Sequence, residues 1–571
     1  MPQIDRAWDA ETDLLVIGAG AAGMTAALVA ALEGLEVILC EKSDMVGGTT
    51  ATSAGTVWIP GNRQGQRTGT PDTIEAARTY LAAMLGAHAT DERLDTFLSV
   101  GPTVLDYLEQ NTSVRFTAPP IHPDYKHLPG AAIGGRALGA VPFDGRSLGD
   151  DFARIRPPRR EFMVLGGMMV GKTDIPALLA PFRNWTNFRH AAGLLTRHML
   201  DRISHRRGTR LIMGNALVAR LFDSIRRAGV DMRFETGLTE LICDDGKVAG
   251  AALASPRGAV AIRARKGVVL ATGGIGWSHE LRERLFPEPA RRFSLAPSSN
   301  TGDGIGAAER LDAVIDHDLD SPALWMPSSV MAQADGHVSV FPHIMLDRAK
   351  PGLLAVDRSG RRFVNEADSY HDFVAAMLRS NAPAGSASPA FLICDRAFVR
   401  DFGIGLVHPG TRDLREFLQT GYLTEGETIT ELAQKIGVDR EQLAETVERY
   451  NRYADTGIDE DFGRGSSPLN RFNGDPGTRP NPCLRRIGPG PYYSVAVWPS
   501  DLASSAGLRT DSRARVLSRD GKPLSGLYAV GTDASSIFRG TYPGPGTMIG
   551  PAIVFAWCAA MDAAGRERPV E

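Results

Sequence analysis

Two short runs of apolar residues flank a long alanine-rich segment near the start of the chain. The first run is DLLVI at residues 13–17, and the second is EVILC at residues 36–40. Continuous apolar runs of this length are typical of strands that a parallel sheet buries on both faces. The segment between them has few polar positions as far as Glu33, which predicts a buried helix. The pattern therefore predicts a strand–helix–strand unit.

Residues 14–33 also approach the length and apolarity of a membrane span. Gly18, Gly20 and Gly23 interrupt them directly after the strand, and this favours a buried strand–turn–helix. GxGxxG in this position is the fingerprint of a dinucleotide-binding unit, with glycines for the turn, the approach to the pyrophosphate and the helix packing. Glu41 ends the second strand, where a carboxylate accepts hydrogen bonds from ribose hydroxyls and would repel the 2′-phosphate of NADP.

NAD and FAD share an ADP half, so this unit alone does not distinguish them. Small residues continue beyond the acid at 47–50 and 53–55, and the segments 267–274 (GVVLATGG) and 526–533 (GLYAVGTD) repeat a strand followed by glycine. In this combination the chain resembles the flavoproteins of the glutathione-reductase-like superfamily. No second complete fingerprint occurs, so we expect no separate NAD site. No histidine lies between residues 47 and 55, where succinate dehydrogenase flavoproteins place their flavin-linking histidine, which predicts non-covalent FAD.

The resemblance implies an α/β fold, with a Rossmann-like FAD-binding domain and an inserted α+β catalytic domain. Because the nucleotide-binding segments must meet in space, we assign residues 1–329 and 496–571 to a discontinuous FAD-binding domain. Residues 330–495 then form the catalytic domain that covers the substrate. The predicted cofactor-binding residues are Gly18, Gly20, Ala22, Gly23, Glu41, Lys42, Gly48, Thr49, Thr50, Ser53, Gly55, Ala271, Thr272, Gly273, Gly531, Asp533 and Ile549.

The composition excludes some classes of protein but does not indicate a particular reaction. Of 571 residues, 43% are hydrophobic and 23% charged, as in an ordinary globular protein, and the net charge of −3 does not favour nucleic acid as a partner. The five cysteines are scattered singly, and neither they nor the histidines have the spacing of a metal site or a disulfide framework. The amino terminus has no signal-peptide pattern, so we expect a cytoplasmic protein. The unusual figure is 62 glycines, which must serve specific turns.

A second glycine-rich motif, TYPGPG, covers residues 541–546 and is followed at 547–551 by TMIGP, which begins a helix. The Gly-Pro-Gly sequence fixes a rigid loop with free N–H groups before that helix. A helix amino terminus there stabilises negative charge on a reduced flavin or on a substrate oxygen. Tyr542 adds a phenolic donor to the same loop.

With this loop, the chain resembles the 3-ketosteroid Δ1-dehydrogenases, FAD enzymes related to the fumarate reductase flavoproteins. The resemblance extends along nearly the whole chain. Its segments are 47–62 (GGTTATSAGTVWIPGN), 142–149 (PFDGRSLG), 166–175 (GGMMVGKTDI), 208–221 (GTRLIMGNALVARL), 301–308 (TGDGIGAA), 347–352 (DRAKPG) and 360–366 (GRRFVNE).

The resemblance implies four catalytic groups. Tyr370 would act as the general base, as a tyrosinate that takes a proton from the carbon next to the ketone, and Tyr125 in HPDYKHLPG would be the second tyrosine beside it. The Tyr542 hydroxyl and the Gly546 N–H would hold the ketone oxygen and stabilise the enolate charge. Flavin N5 would accept hydride from the next carbon, giving a conjugated enone. The implied partners are a small lipophilic, steroid-like ketone and an external electron acceptor.

The chain departs from the family pattern at two places near the loop. Thr547-Met548 stands where Gly-Thr is expected, and Phe538-Arg539 replaces a small apolar residue and glycine. Arg539 could pair with a substrate carboxylate, although we favour an arginine that faces outward or binds flavin phosphate. The alternatives to a steroid are a smaller cyclic ketone, including an oxocyclohexanecarboxylate, and a fumarate-reductase-like activity, against which the TYPGPG loop speaks.

Residues 183–220 carry eight arginines and three histidines beside apolar residues. One interpretation is a cationic face that contacts a membrane peripherally and loads a lipophilic ketone. The other, which we favour, is a solvated helical face on the FAD-binding domain.

Overall fold

An eight-stranded sheet is built around the first predicted strand. The computed structural model describes residues 8–333, 336, 338–345, 347–380 and 387–567, so residues 1–7, on which part of the cytoplasmic expectation rests, lie outside the described residues. The strands of this sheet are β1 (Ala10–Ile17), β2 (Val37–Cys40), β3 (Asp231–Arg233), β4 (Gly237–Asp244), β5 (Lys247–Ser255), β6 (Gly258–Leu270), β14 (Arg515–Leu517) and β15 (Pro523–Ala529).

A second sheet of seven strands lies between β6 and β14 in the chain. Its strands are β7 (Phe293–Ser294), β8 (Ala323–Ala332), β9 (Val338–Pro342), β10 (Leu353–Val356), β11 (Ala390–Asp395), β12 (Thr424–Gly426) and β13 (Tyr492–Ser504). The main path through it runs β9-β8-β13-β11-β10, with β7 and β12 also paired to β13.

The principal helices are α1 (Ala21–Leu32), α2 (Ile74–Leu85), α3 (Glu92–Asn111), α4 (Trp185–Ser204), α5 (Met213–Arg227), α6 (Tyr370–Arg379), α7 (Arg440–Thr456), α8 (Pro468–Asn473) and α9 (Ile549–Ala563). Helix α1 is buried from Ala21 to Ala30, because small alanine side chains let it pack against both α5 and α9.

The first sheet is parallel where the nucleotide-binding segments meet. Strand β1 pairs in parallel with β2 on one side and with β6 on the other, and the end of β6 pairs in parallel with β15. The three predicted glycine-bearing strand ends therefore lie at one edge of the sheet. In open parallel sheets this carboxyl edge is where ligands bind. The mixed α/β fold predicted from the sequence is confirmed.

The predicted domain boundaries, 329/330 and 495/496, fall inside β8 and β13. Both strands belong to the second sheet, and a hydrogen-bonded strand cannot be divided between two domains. We therefore propose that the inserted unit begins before β8 and ends after β13, and the division into two domains stays a prediction.

Among the residues that the structure describes, no helix combines the length and apolarity that a membrane crossing requires. The stretch 14–33 is instead divided between β1 and α1, as its glycines predict.

Candidate active site

The three fingerprint glycines differ in what surrounds them. A Cβ on Gly18 would lie 2.1 Å from the Ala271 carbonyl oxygen, and one on Gly23 would lie 1.8 Å from the Gly18 oxygen. These two positions are closed to any side chain, because the turn after β1 is pressed against β6 and α1. A Cβ on Gly20 would meet no atom within 4 Å. Gly20 is the residue before α1, so the first N–H groups of the helix open onto free space.

Glu41 closes the far side of this space. One of its carboxylate oxygens accepts a hydrogen bond of 2.8 Å from the Ala19 N–H, and the other accepts from the N–H and hydroxyl of Ser43 at 2.9 Å. The carboxylate is therefore held at the end of β2 beside the turn. Lys42 points elsewhere, since its Nζ pairs with Asp303 at 2.8 Å.

Several predicted cofactor residues hold the walls of the space together. Gly55 has a φ of +64°, and a Cβ there would lie 2.4 Å from the backbone of Gly214, so its close neighbour is α5. The Asp533 carboxylate accepts from the N–H of Thr272 and, at 2.9 Å, from that of Gly274. Asp533 thereby joins the ends of β15 and β6. These hydrogen bonds of its carboxylate are made with protein N–H groups.

The remaining predicted residues border the same space. A Cβ on Gly48 would have the Gly20 Cα as its nearest neighbour, 3.9 Å away. The Ala21 N–H donates to the Thr50 hydroxyl at 3.4 Å, and the Ser53 hydroxyl donates to the Thr50 carbonyl. Four of the others are Thr49, whose hydroxyl accepts a hydrogen bond from an asparagine amide, Gly273, and the pair Ala22 and Gly531, which face each other. The last is Ile549, the first residue of α9.

Asn300 is a residue of this region that the sequence analysis missed. Its amide nitrogen donates to the Gly273 carbonyl at 2.8 Å and to the Thr49 hydroxyl at 3.2 Å. It thus connects two predicted cofactor segments. Its position directly before the family segment 301–308 was the only signal that could have indicated it.

These observations fit a dinucleotide whose pyrophosphate lies at the start of α1. Gly20 leaves room for it, the helix N–H groups favour its charge, and Glu41 is held beside the turn at the end of β2. When bound there, FAD supplies a planar hydride acceptor.

The predicted catalytic tyrosines form one cluster, which we call the tyrosine cluster. The Tyr370 hydroxyl donates to the Tyr542 hydroxyl at 2.8 Å and lies 3.0 Å from the Tyr125 hydroxyl. The three rings meet edge to face, with centroids 5.1 to 5.6 Å apart, and each residue is only 7% exposed. The structure thus brings together three phenols from widely separated parts of the chain.

Local sequence explains where Tyr370 stands. The Ser369 hydroxyl accepts a hydrogen bond from the Asp372 N–H at 3.1 Å and donates to the Asp372 carboxylate at 2.7 Å. This pairing caps the start of α6 and makes Tyr370 its first residue. Lys126, next to Tyr125, forms an ion pair of 2.6 Å with Asp372 and so links the two tyrosine segments.

Two residues outside the predicted set hold the TYPGPG loop. The Pro543 carbonyl accepts hydrogen bonds from the Tyr125 N–H at 2.8 Å and from the Tyr80 hydroxyl at 2.7 Å. A Cβ on Gly544 would lie 2.7 Å from the indole nitrogen of Trp58, which leaves no space for a side chain. Tyr80 and Trp58 therefore fix the loop against the tyrosine cluster. Trp58 lies in the family segment 47–62, whereas no motif in the sequence indicated Tyr80.

Gly546 requires its glycine for two reasons. Its φ is +97°, and a Cβ would lie 2.5 Å from the Thr56 carbonyl oxygen. Its own carbonyl accepts from the N–H groups of Trp58 and Gly550, whereas its N–H has no acceptor within the described part of the chain. That N–H, just before α9, is available to an external oxygen.

Burial sets the protonation of the cluster. It raises the pKa of Tyr370 well above the ordinary value, and the neighbouring Tyr125 and Tyr542 phenols raise it further. Burial also raises the pKa of Tyr542 to about 12. In this state the phenols are protonated, so proton uptake by Tyr370 requires a change that stabilises its anion. The positive charge of Arg348 acts in that direction on a neighbouring phenol, because it lowers the pKa of Tyr125.

Arg539 and His371, two residues near the loop, have protein partners. The Arg539 guanidinium donates to the Asp318 carbonyl and lies 3.6 Å from the Asp318 carboxylate, so it is directed at Asp318. His371 accepts a hydrogen bond from the Trp325 N–H at 3.3 Å, and burial lowers its pKa to about 4. A neutral His371 therefore packs against the Tyr542 ring.

Asp368, two residues before Tyr370, predicts a pH-dependent stability. Burial raises its pKa from 3.8 to about 6, so the folded chain binds this proton more tightly than the unfolded chain. The contribution of Asp368 to the free energy of unfolding is therefore largest near pH 4, and it is lost as the pH rises towards 6. Asp368→Asn keeps an oxygen acceptor for the Asn470 amide, 3.0 Å away. We expect the variant to gain on the order of 2 kcal/mol at pH 7.5, with a smaller gain at pH 5.

Urea denaturation at both pH values measures this difference. Asp244→Asn, at an exposed hairpin position, is the control and should change little at either pH. A gain that does not depend on pH, or a loss at pH 7.5, would contradict the raised pKa of Asp368.

The chain matches a family model described as an FAD binding domain over residues 13–549. It is 39% identical to 4-oxocyclohex-2-ene-1-carboxylate 5-dehydrogenase of Sinomonas cyclohexanicum, over 97% of this chain and 93% of that protein. It is 36% identical to 3-oxosteroid 1-dehydrogenase of Mycolicibacterium smegmatis, over 97% of each. Among solved structures, 3-ketosteroid Δ1-dehydrogenase of Sterolibacterium denitrificans in complex with 1,4-androstadiene-3,17-dione superimposes with a TM-score of 0.90. That protein is 35% identical, and the alignment covers 97% of this chain and 99% of the other.

Proposed function

We infer that this chain dehydrogenates the carbon pair next to a ring ketone. It belongs to the FAD-binding family that includes the 3-oxosteroid 1-dehydrogenases, and this membership supports the inference. The chain is an FAD-dependent oxidoreductase of the class that acts on CH–CH bonds. The observation that carries the proposal is the tyrosine cluster beside the free N–H of Gly546. We propose that FAD is bound non-covalently.

The ketone oxygen is held by two donors in this proposal. The Tyr542 hydroxyl and the Gly546 N–H belong to one rigid loop at the amino end of α9. A saturated C–H bond is inert unless a neighbouring carbonyl acidifies it, and these donors stabilise the negative charge that develops on the oxygen. Because the Tyr542 hydroxyl accepts its hydrogen bond from Tyr370, its own proton is available to the substrate oxygen.

Tyr370 takes the proton from the carbon next to the ketone. Its hydroxyl lies within hydrogen-bond distance of both other phenols, so a proton moves along the cluster without entering solvent. The Arg348 charge lowers the pKa of Tyr125 and so favours negative charge on this side of the tyrosine cluster. The hydride from the second carbon would pass to the bound FAD, and an external electron acceptor would then take the two electrons from the enzyme.

The substrate is the open part of this proposal. Apolar side chains pack with the tyrosine cluster, and we call them the apolar wall: Leu295, Leu324, Met326, Met345, Ala349, Ala367, Leu469 and Cys483. These apolar surroundings of the tyrosine cluster favour a hydrophobic ring over a dicarboxylate and speak against a fumarate-reductase-like reaction. A 3-oxosteroid is supported by the relatives that are 36% identical. A smaller ring ketone with a carboxylate is supported by the relative that is 39% identical.

Anaerobic flavin reduction tests the proposal directly. The purified holoenzyme is mixed with 4-androstene-3,17-dione, cyclohexanone and 4-oxocyclohexanecarboxylate, and the flavin absorbance near 450 nm is followed. We expect bleaching by at least one of these ketones and no bleaching by succinate. Loss of colour with succinate alone, or with none of the four compounds, would refute ring-ketone dehydrogenation.

The surface around α4 bears on how a lipophilic substrate reaches the enzyme. Phe182, Trp185 and Ile203 are 86%, 75% and 79% exposed, and arginines lie among them. Large exposed apolar side chains together with cations are typical of a helix that lies in a membrane interface. We therefore propose that this face contacts a membrane peripherally. The exposure of these three apolar side chains favours this interpretation over a merely solvated helical face.

A further inference from the structure

Cations around the tyrosine cluster differ in whether a partner neutralises them. Lys126 forms its ion pair with Asp372. Arg159 donates to the Val340 carbonyl at 2.6 Å and to the Leu295 carbonyl at 3.4 Å. Both cations therefore already have partners within the protein.

The next two cations hold backbone carbonyls. Arg348 donates to the His343 carbonyl at 2.8 Å and to the Glu366 carbonyl at 2.6 Å. Lys350 donates to two carbonyls at the end of α8, both at 2.8 Å. Arg539, as described above, is directed at Asp318, so it does not supply a free cation either.

Lys172 is different. Its ammonium lies 3.8 Å from the centroid of the Phe472 ring, and its side chain is exposed. Within the described ranges, no carboxylate lies within 4.0 Å of its Nζ. A cation on an aromatic face without a carboxylate is able to receive an anion from solution.

The position of Phe472 connects Lys172 with the tyrosine cluster. Phe472 belongs to α8, whose Leu469 is part of the apolar wall. The Phe472 ring also meets His122, with centroids 5.9 Å apart. His122 precedes Tyr125 by three residues, or about 10 Å of fully extended chain at about 3.3 Å per residue. Lys172 thus lies beside two segments that lead to the tyrosine cluster, one through Leu469 and the other through Tyr125.

The charge balance at this end favours an anion. Burial and the Lys172 charge together lower the pKa of His122 to about 4, so His122 is neutral at pH 7. Burial, and then Lys172, also lowers the pKa of Lys350. Two lysines therefore repel each other here, and a bound carboxylate would relieve that repulsion.

We propose that Lys172 binds a carboxylate substituent of the ring ketone while Tyr542 and Gly546 hold its ketone oxygen. This assignment rests on the proposed function and deepens it, because it selects a ring-ketone carboxylate over a neutral steroid. His122 and Phe472 supply the surface on which the carboxylate-bearing end of the ring lies.

Steady-state kinetics with 4-oxocyclohexanecarboxylate and its methyl ester test the assignment. These two substrates have the same ring and ketone and differ in charge. We expect Lys172→Met to raise KM for the acid by about 10- to 100-fold, as for a lost hydrogen bond to a charged group, and to leave KM for the ester nearly unchanged. Lys172→Arg should restore most of the lost affinity. Activity on the ester reports that the variant is folded and that its tyrosines work.

Lys522→Met is the matched control, since Lys522 is exposed and pairs with Asp520 at 3.2 Å on the surface. It should change neither KM. Equal effects of Lys172→Met on acid and ester, no effect on either, or a wild-type enzyme that does not prefer the acid would overturn the assignment while the proposed function stands. Failure of the acid, the ester and a 3-oxosteroid alike to reduce the flavin would overturn the proposed function and the assignment with it.

Discussion

Tyr370→Phe should slow anaerobic flavin reduction by the best ring ketone by about 10²- to 10⁴-fold, the usual contribution of a positioned general base. The variant retains the aromatic ring that meets Tyr125 and Tyr542 edge to face, so the packing of the cluster is preserved. It loses only the hydroxyl that joins the other two phenols. Stopped-flow measurement of the flavin absorbance gives the rate, and the ratio of FAD to protein shows that the cofactor is retained.

Tyr450→Phe is the matched control for this substitution. Tyr450 is fully buried in α7, and its hydroxyl accepts a hydrogen bond of 3.3 Å from the Gly352 N–H, outside the tyrosine cluster. Removing that hydroxyl should cost stability on the order of 1 kcal/mol and leave the rate of flavin reduction near that of the wild type. A Tyr370→Phe enzyme with near-normal turnover would remove Tyr370 from the role of base.

Gly20→Val should yield a folded chain that has lost its FAD. Gly20 has a φ of −78°, which any residue adopts, and a Cβ there would meet no protein atom within 4 Å. The valine would instead fill the space in front of α1, where the pyrophosphate needs close contact with backbone N–H groups. Losing two hydrogen bonds to a charged group predicts an increase in Kd of about 100-fold or more.

Fluorescence titration of the apoprotein with FAD measures this Kd, and circular dichroism shows whether the fold is kept. Gly139→Val is the control, because Gly139 also has no atom within 4 Å of an added Cβ but lies away from α1, in the strand Ala137–Ala140. It should bind FAD as the wild type does. Wild-type affinity in Gly20→Val would mean that the pyrophosphate does not lie at this turn.

The fingerprint could be predicted from sequence because its requirements are local. Gly18 and Gly23 lie within six residues of each other, and each is required by a contact between the turn and its own strand or helix. The TYPGPG loop is a similar case, since Gly546 has the positive φ that only glycine adopts freely. Backbone conformations of this kind restrict residue type at fixed spacing, and the restriction remains visible in one sequence.

Roles within the cofactor region could not be predicted residue by residue. Asp533 stands at the end of a nucleotide-domain strand, as expected, yet its carboxylate serves the N–H groups of Thr272 and Gly274. Lys42 follows Glu41, the predicted ribose-binding acid, but pairs with Asp303, 261 residues away. The partner of a side chain at a strand end depends on which residues of neighbouring segments lie beside it. A single sequence does not show which segments those are.

The sequence by itself therefore determined the FAD-binding fold, the glycine turn after β1 and the loop that carries Tyr542 and Gly546. Only the tertiary structure decided that Tyr125 and Tyr370, 245 residues apart, meet at 3.0 Å, and that Tyr80 and Trp58 hold the loop against them. It also decided that Arg539 is directed at Asp318, whereas Lys172 lies on the Phe472 ring with no carboxylate of the described residues within 4.0 Å. The physical reason is that glycine turns are fixed by backbone sterics within a few residues, whereas the cluster and its charges depend on how the inserted sheet packs onto the nucleotide-binding sheet.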